Sequence, residues 1–130
     1  MRFAKQWLPV ILWAAVILMA SNDAFSSDNS REWLDMFLGG YASETLNFTV
    51  RKLSHVVEYA ILGALAWRAG RRAALAVAVA VAVALFDETR QTLTVSRSGS
   101  LWDVLLDTAG ASAAVAAATW LSSRFRTRRT

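Results

Sequence analysis

Residues 73–91 read AALAVAVAVAVALFDETRQ, and the fold turns on how that run is read. Ala and Val alternate almost perfectly between Ala73 and Phe86, and a period of two normally argues for a strand. Both residue types are apolar, so neither face of such a strand would be polar and the alternation carries no burial information. A lone strand in lipid would leave its backbone unpaired, whereas a helix satisfies its N–H and C=O groups internally. The run is therefore expected to be a membrane helix, rich in small side chains that let neighbouring helices approach closely. It is short for a hydrocarbon core about 30 Å thick. Arg71 and Arg72 can snorkel at one end, and a surrounding bundle can shield Asp87 and Glu88 at the other.

Working outward, three more apolar segments appear: about Trp7 to Ala20, Arg51 to Trp67 and Leu101 to Leu121. With Ala73 to Phe86 they make four spans in a single domain, 1–130. The expected fold is an all-α, four-helix transmembrane bundle. The first segment follows Met1-Arg2-Phe3-Ala4-Lys5, as a secretory signal would. Its cleavage patterns, Leu18-Met19-Ala20 and Asn22-Asp23-Ala24, both lack a small residue at the first position, so an uncleaved span is expected. Pro9 is placed in its first turn, where the missing N–H costs least. Small residues also dominate the last segment, from Ala109 to Ala114.

Composition agrees. Of 130 residues, 55% are hydrophobic and 18% charged, against roughly 25% charged in an average soluble domain. The chain has no cysteine, which excludes disulfides, thiolate metal sites and cysteine nucleophiles. The net charge is +4, but the cations sit at the chain ends and in one short loop, as topology determinants do. Nucleic acid is not an expected partner. Arg2 and Lys5, then Arg68, Arg71 and Arg72, then Arg124, Arg126, Arg128 and Arg129 fall on one side of four spans. By the positive-inside rule that side, with both termini, is the cytoplasm. The opposite side receives the loops 21–50 and 87–100. Within the first, Arg31 to Leu38 puts Trp33, Leu34, Phe37 and Leu38 on one helical face, which reads either as a short interfacial helix that Gly39-Gly40 would end or as an ordinary loop with scattered hydrophobes.

The ionisable residues inside the spans collect at that outer end. A charge near the middle of a bilayer costs about 2.5–3.5 kcal/mol on insertion scales, so each is a functional candidate. Lys52, His55 and Tyr59 share one helical face, with Glu58 partly on it. Asp87 and Gln91 are four apart, whereas Asp87 and Glu88 must point to different partners. Asp103 and Asp107 share a face, Asp107 about one turn deeper. Arg97 lies in the loop between. His55, Glu88, Asp103 and Asp107 are candidate ligands for a divalent cation. His55, Glu58 and Glu88 are candidates for acid–base catalysis. Lys52 and Arg97 can grip a phosphate or carboxylate. The competing reading is that these acids and bases merely neutralise one another and lock the helices together.

Lys52-x-x-His55-x-x-x-Tyr59-x-x-Leu62-Gly63, then Asp87-Glu88-x-x-Gln91, Arg97, Asp103 and Asp107-x-x-Gly110 resemble the VanZ-like family, in order and over nearly the whole chain. The resemblance implies a small multi-pass protein of the bacterial inner membrane with about four helices. The family's namesake is associated with low-level resistance to the lipoglycopeptide teicoplanin. Two departures stand out: Val95-Ser96-Arg97 lacks the family's usual glycine-containing turn, and Asp107 stands where Asn is common. The expected function is binding of a lipid-linked or amphiphilic headgroup in an outward-facing pocket of Lys52, His55, Tyr59, Asp87, Glu88, Gln91, Arg97, Asp103 and Asp107. The expected partners are the lipid bilayer and a lipid-linked envelope precursor or lipoglycopeptide, with an effect on glycopeptide susceptibility. The alternatives are a membrane-embedded enzyme using His/Glu acid–base chemistry, metal-assisted or not, and a structural accessory subunit. A proton-linked transporter is less consistent with four short helices and no inverted repeat. No cofactor can be named.

Overall fold

The computed structural model describes residues 2–21, 27–40, 43–93 and 100–127. These form five helices, α1 (Arg2–Ala20), α2 (Ser27–Leu38), α3 (Glu44–Gly70), α4 (Ala73–Thr92) and α5 (Leu101–Thr127). No strand occurs among the described residues.

The Ala/Val run is helical, and in helical register its alternation does carry burial information, contrary to the expectation from sequence. Four is an even number, so the i, i+4 face of an alternating sequence holds one residue type. Ala76, Ala80 and Ala84 are each 0% exposed, and the stripe continues into buried Asp87 and Glu88. The valines lie beside it, with Val77, Val79 and Val83 packed partly against the core. The other helices bury stripes at the same spacing: Tyr59, Leu62, Gly63 and Ala66 on α3, and Val104, Asp107, Gly110, Ala111 and Val115 on α5.

The helices extend beyond the apolar segments. Ser43 caps α3, its hydroxyl accepting from the Leu46 N–H at 3.1 Å, so α3 starts before Arg51 and holds Lys52, His55 and Glu58 in regular helix. It ends at Arg71, whose φ of 55° is left-handed; the Arg71 N–H donates to the Trp67 carbonyl at 2.7 Å and its guanidinium lies 4.4 Å from the Trp67 ring centre. Pro9 is not in the first turn. α1 begins at Arg2, which puts Pro9 well inside the helix, where it removes one hydrogen bond to the preceding turn. Of the two readings of the first loop the helix is the one present, and it starts earlier than Arg31, at Ser27. Gly39 and Gly40 both have positive φ, and the Gly40 N–H donates to the Asp35 carbonyl at 3.0 Å, the six-to-one bond of a Schellman stop.

α3 is the hub, packed against α5, α4, α1 and α2, while α4 also packs on α5. α3 and α5 run in the same direction, since Lys52 faces Asp103 and, a turn further on, His55 faces Asp107. α4 runs the other way, so its C-terminal end meets the starts of α3 and α5. α1 runs with α4, its C-terminal end reaching the end of α4. The α3–α5 approach is close enough to require glycine. A Cβ at Gly63 would lie 2.8 Å from the Ala111 carbonyl oxygen, and one at Gly110 would lie 2.6 Å from that of Val56. Small residues at a helix–helix contact allow this proximity, and it brings the N-terminal ends of α3 and α5 together.

Candidate functional site

Three helix ends meet where the ionisable residues are. α3 contributes Arg51, Lys52 and His55, α4 contributes Glu88 and Gln91, and α5 contributes Asp103, Leu106 and Asp107. Together they line a cavity of about 40 Å³. A water needs roughly 10–15 Å³ by this measure, so only the tip of a larger molecule enters.

The charges in the cavity are largely paired. Lys52 forms an ion pair and hydrogen bond with Asp103, and its ammonium also lies 5.3 Å from the centre of the Phe48 ring. Glu88 accepts the Ser100 N–H at 2.7 Å. Ser100 is the residue before α5, and its carbonyl and hydroxyl accept from Asp103 and Trp102. Glu88 therefore fastens the end of α4 to the positive start of α5, where a carboxylate is favoured. His55 and Asp107 are less fully matched. His55 Nδ1 is buried without a hydrogen-bond partner among the described residues, with Asp107 Oδ2 at 3.8 Å. That distance is beyond hydrogen-bond reach. A quarter of the His55 side chain remains exposed, and Nδ1 is buried, so the exposed part of the ring is another edge.

A second polar group sits beside the cavity. The Ser21 hydroxyl, just past α1, donates to Asp87 Oδ2 at 2.8 Å. The Gln91 amide donates to Ser21 Oγ at 2.9 Å and to Asp87 Oδ2 at 3.0 Å. Arg90 donates to the Leu18 carbonyl at 3.0 Å. The end of α4 thus clasps the end of α1. Gln91 belongs to both groups, because it also lines the cavity. Asp87 Oδ1 and the Tyr59 hydroxyl are buried without hydrogen-bond partners among the described residues.

Of the sequence candidates, Lys52, His55, Glu88, Gln91, Asp103 and Asp107 converge on the cavity. Asp87 and Glu88 have different partners, as their adjacency requires. Tyr59 lies in the core a turn below His55. Glu58 is parted from the cavity: it lines an apolar groove between α1 and α3, with Trp13, Leu53, Val57 and Ile61. Arg97 lies outside the described residues. Among the described residues, no three His, Asp or Glu side chains are arranged to hold a metal ion. Sequence reasoning missed Arg51, read only as a segment boundary, and Ser21, read only as the start of a loop. The i, i+1 relation of Arg51 to Lys52 gives no face-sharing signal, and the Ser21 contact spans 66 residues of sequence.

The fold and the polar end of the bundle define an all-helical, membrane-associated protein. Phe3–Ala20 and Leu101–Phe125 are long and apolar enough to cross a membrane, and the ionisable residues of the site are shared among α3, α4 and α5. The VanZ/LLP1 family model matches residues 6–122, and the chain belongs to that family. No curated protein sequence and no solved structure matches it.

Proposed function

We propose that this protein is a cell-envelope protein of the bacterial inner membrane whose outward-facing cavity holds the tip of a lipid-linked or amphiphilic headgroup. In this reading α1, α3, α4 and α5 cross the bilayer with both termini in the cytoplasm, and α2 lies in the outer interface. The exposed apolar surface supports it: Leu8, Ile11, Leu12 and Val16 on α1 and Leu105, Trp120 and Phe125 on α5 are uncovered, as lipid-facing residues are. Met36 and Phe37 on α2 are also exposed.

The observation that carries the proposal is the 40 Å³ cavity lined by residues of both charge signs at one end of three helices. A purely structural lock accounts for the Lys52–Asp103 pair, the Glu88–Ser100 bond and the Asp87 clasp. It holds His55 and Asp107 less tightly: they stand at ion-pair distance, 3.8 Å, with His55 Nδ1 lacking a hydrogen-bond partner among the described residues, and both line the cavity. The test is native mass spectrometry of protein extracted from bacterial membranes in mild detergent. Wild type retains a bound amphiphile. His55→Ala combined with Asp107→Asn loses it by about tenfold, equivalent to ~1.4 kcal/mol, with its melting temperature little changed. Undiminished retention refutes the proposal. Altered susceptibility to lipoglycopeptides on deletion is the expected cellular consequence.

The proximity of His55 and Asp107 favours a second reading, an acid–base enzyme acting on a lipid-linked substrate. Asp107 would orient the imidazole in place of Glu58, which faces elsewhere. Turnover of bacterial lipid extract by wild type and not by His55→Gln would establish it.

A further inference from the structure

Three polar atoms beside the cavity are buried without hydrogen-bond partners among the described residues: His55 Nδ1, the Tyr59 hydroxyl and Asp87 Oδ1. Tyr59 is 0% exposed and Asp87 1%, so bulk solvent satisfies neither. His55 and Tyr59 are one turn apart on α3. A helical side chain leans back over the turn before it, which carries the Tyr59 hydroxyl toward the level of His55. From α4, Asp87 acts electrostatically on both residues, and among the carboxylates around Tyr59 it acts most strongly. Asp87 Oδ2 is taken up by Ser21 and Gln91, and Oδ1 has no part in that clasp. Buried polar atoms are nearly always satisfied, and a buried water joins about three of them.

We infer that His55 Nδ1, the Tyr59 hydroxyl and Asp87 Oδ1 share one bound water between α3 and α4, and that this water fixes which nitrogen of His55 meets the cavity. Donors and acceptors balance. The water gives a hydrogen to the Asp87 carboxylate, which only accepts, and receives the Nδ1–H of His55 and the O–H of Tyr59. Asp107 Oδ2, 3.8 Å from Nδ1, is too far to accept directly, but its charge favours a proton on that nitrogen. The bond made by one ring nitrogen sets the state of the other. With Nδ1 protonated, Nε2 of the neutral ring is an acceptor, and it is the nitrogen left to the cavity that His55 lines. Tyr59 and Asp87 are then positioning residues for His55. One further step rests on the headgroup reading above: the ligand tip that meets Nε2 presents an N–H or O–H donor.

His55 is the only histidine in the sequence, so nitrogen-15 labelling of histidine reports on this one ring. Solid-state NMR of the full chain in vesicles, at a pH where the ring is neutral, is expected to show Nδ1 protonated and Nε2 bare, in about tenfold excess over the other tautomer. Tyr59→Phe removes one bond to the water. It reduces that excess about fivefold and lowers the folding equilibrium by a similar factor, ~1 kcal/mol. A hydroxyl with no partner would give the opposite sign, so a Tyr59→Phe protein more stable than wild type overturns the inference. So does a proton found on Nε2, or a pair of signals that answers to Asp107→Asn and not to Tyr59→Phe. The donor step is read in vesicles of equal phosphatidylethanolamine and phosphatidylcholine with identical chains, since only the first has N–H donors. Native mass spectra should show it retained about fivefold over the second, and equal retention overturns that step. Retention of neither lipid, with the His55 signals as expected, refutes the headgroup reading and leaves the water site standing.

Discussion

Replacing Gly110 by Ala tests the architecture through the sign of its effect. The new Cβ would sit 2.6 Å from the Val56 carbonyl oxygen and 3.0 Å from Val56 Cγ1. A carbon–oxygen contact normally lies at about 3.3–3.6 Å, so the shortfall is roughly 0.7 Å. The obstacle is main chain and cannot rotate away, which means that α3 and α5 must separate or shift. Overpacking of this kind costs about 1–3 kcal/mol. Against it stands the intrinsic helix preference of Ala over Gly, about 1 kcal/mol. The net expectation is a loss of about 1 kcal/mol, near fivefold in the folding equilibrium. Gly110→Val keeps the clash and forgoes most of the propensity gain, so it loses more. Ala113→Val, on the exposed face of the same helix, should be nearly neutral. Thermal unfolding in detergent, followed by circular dichroism, reads all three. A Gly110→Ala protein as stable as wild type, or more stable, would show that the two backbones do not meet here. The placement of His55 against Asp107 would fall with that contact.

Other outcomes follow from the polar groups. Asp87→Ala leaves the Ser21 hydroxyl and the Gln91 amide without their shared acceptor, a loss of about 1–3 kcal/mol. It should make the chain after Ala20 sensitive to added protease, while Asp87→Asn should be milder. Lys52→Met and Asp103→Leu should each reduce membrane abundance more than the double substitution, because a single change strands a charge whose partner is gone; additive losses would argue against the pair. Reporter fusions should show periplasmic activity when joined after Leu93 and none after Arg72; the reverse pattern would invert the proposed topology.

Helix class and the gathering of polar residues were legible in the sequence because each depends on spacing along one helix. Lys52, His55 and Tyr59 follow α3 periodicity, and Asp103 and Asp107 follow that of α5. The steps between helices were less accessible. Glu58 is three residues from His55, but the two line different concavities, because α1 packs on α3 and creates the groove. The Ala/Val run withheld its buried face only while it was read at period two. Pro9 was misplaced because hydropathy marks where an apolar run starts and not where a helix starts; α1 takes in Arg2 and Lys5 as well. Ser21 and Arg51 carried no local signal, since one matters through α4 and the other through a cavity shared by three helices.

The clasp between the first helix and the end of α4 has a consequence for biogenesis. Ser21 and Leu18 meet their partners across 66 and 72 residues of sequence. During synthesis the leading helix lacks this tether until the ribosome has delivered Asp87, Arg90 and Gln91. A chain halted before that point holds its first helix by the α3 contacts alone, such as the Trp13–Glu58 bond, and gains the second fastening only when the end of α4 has been made.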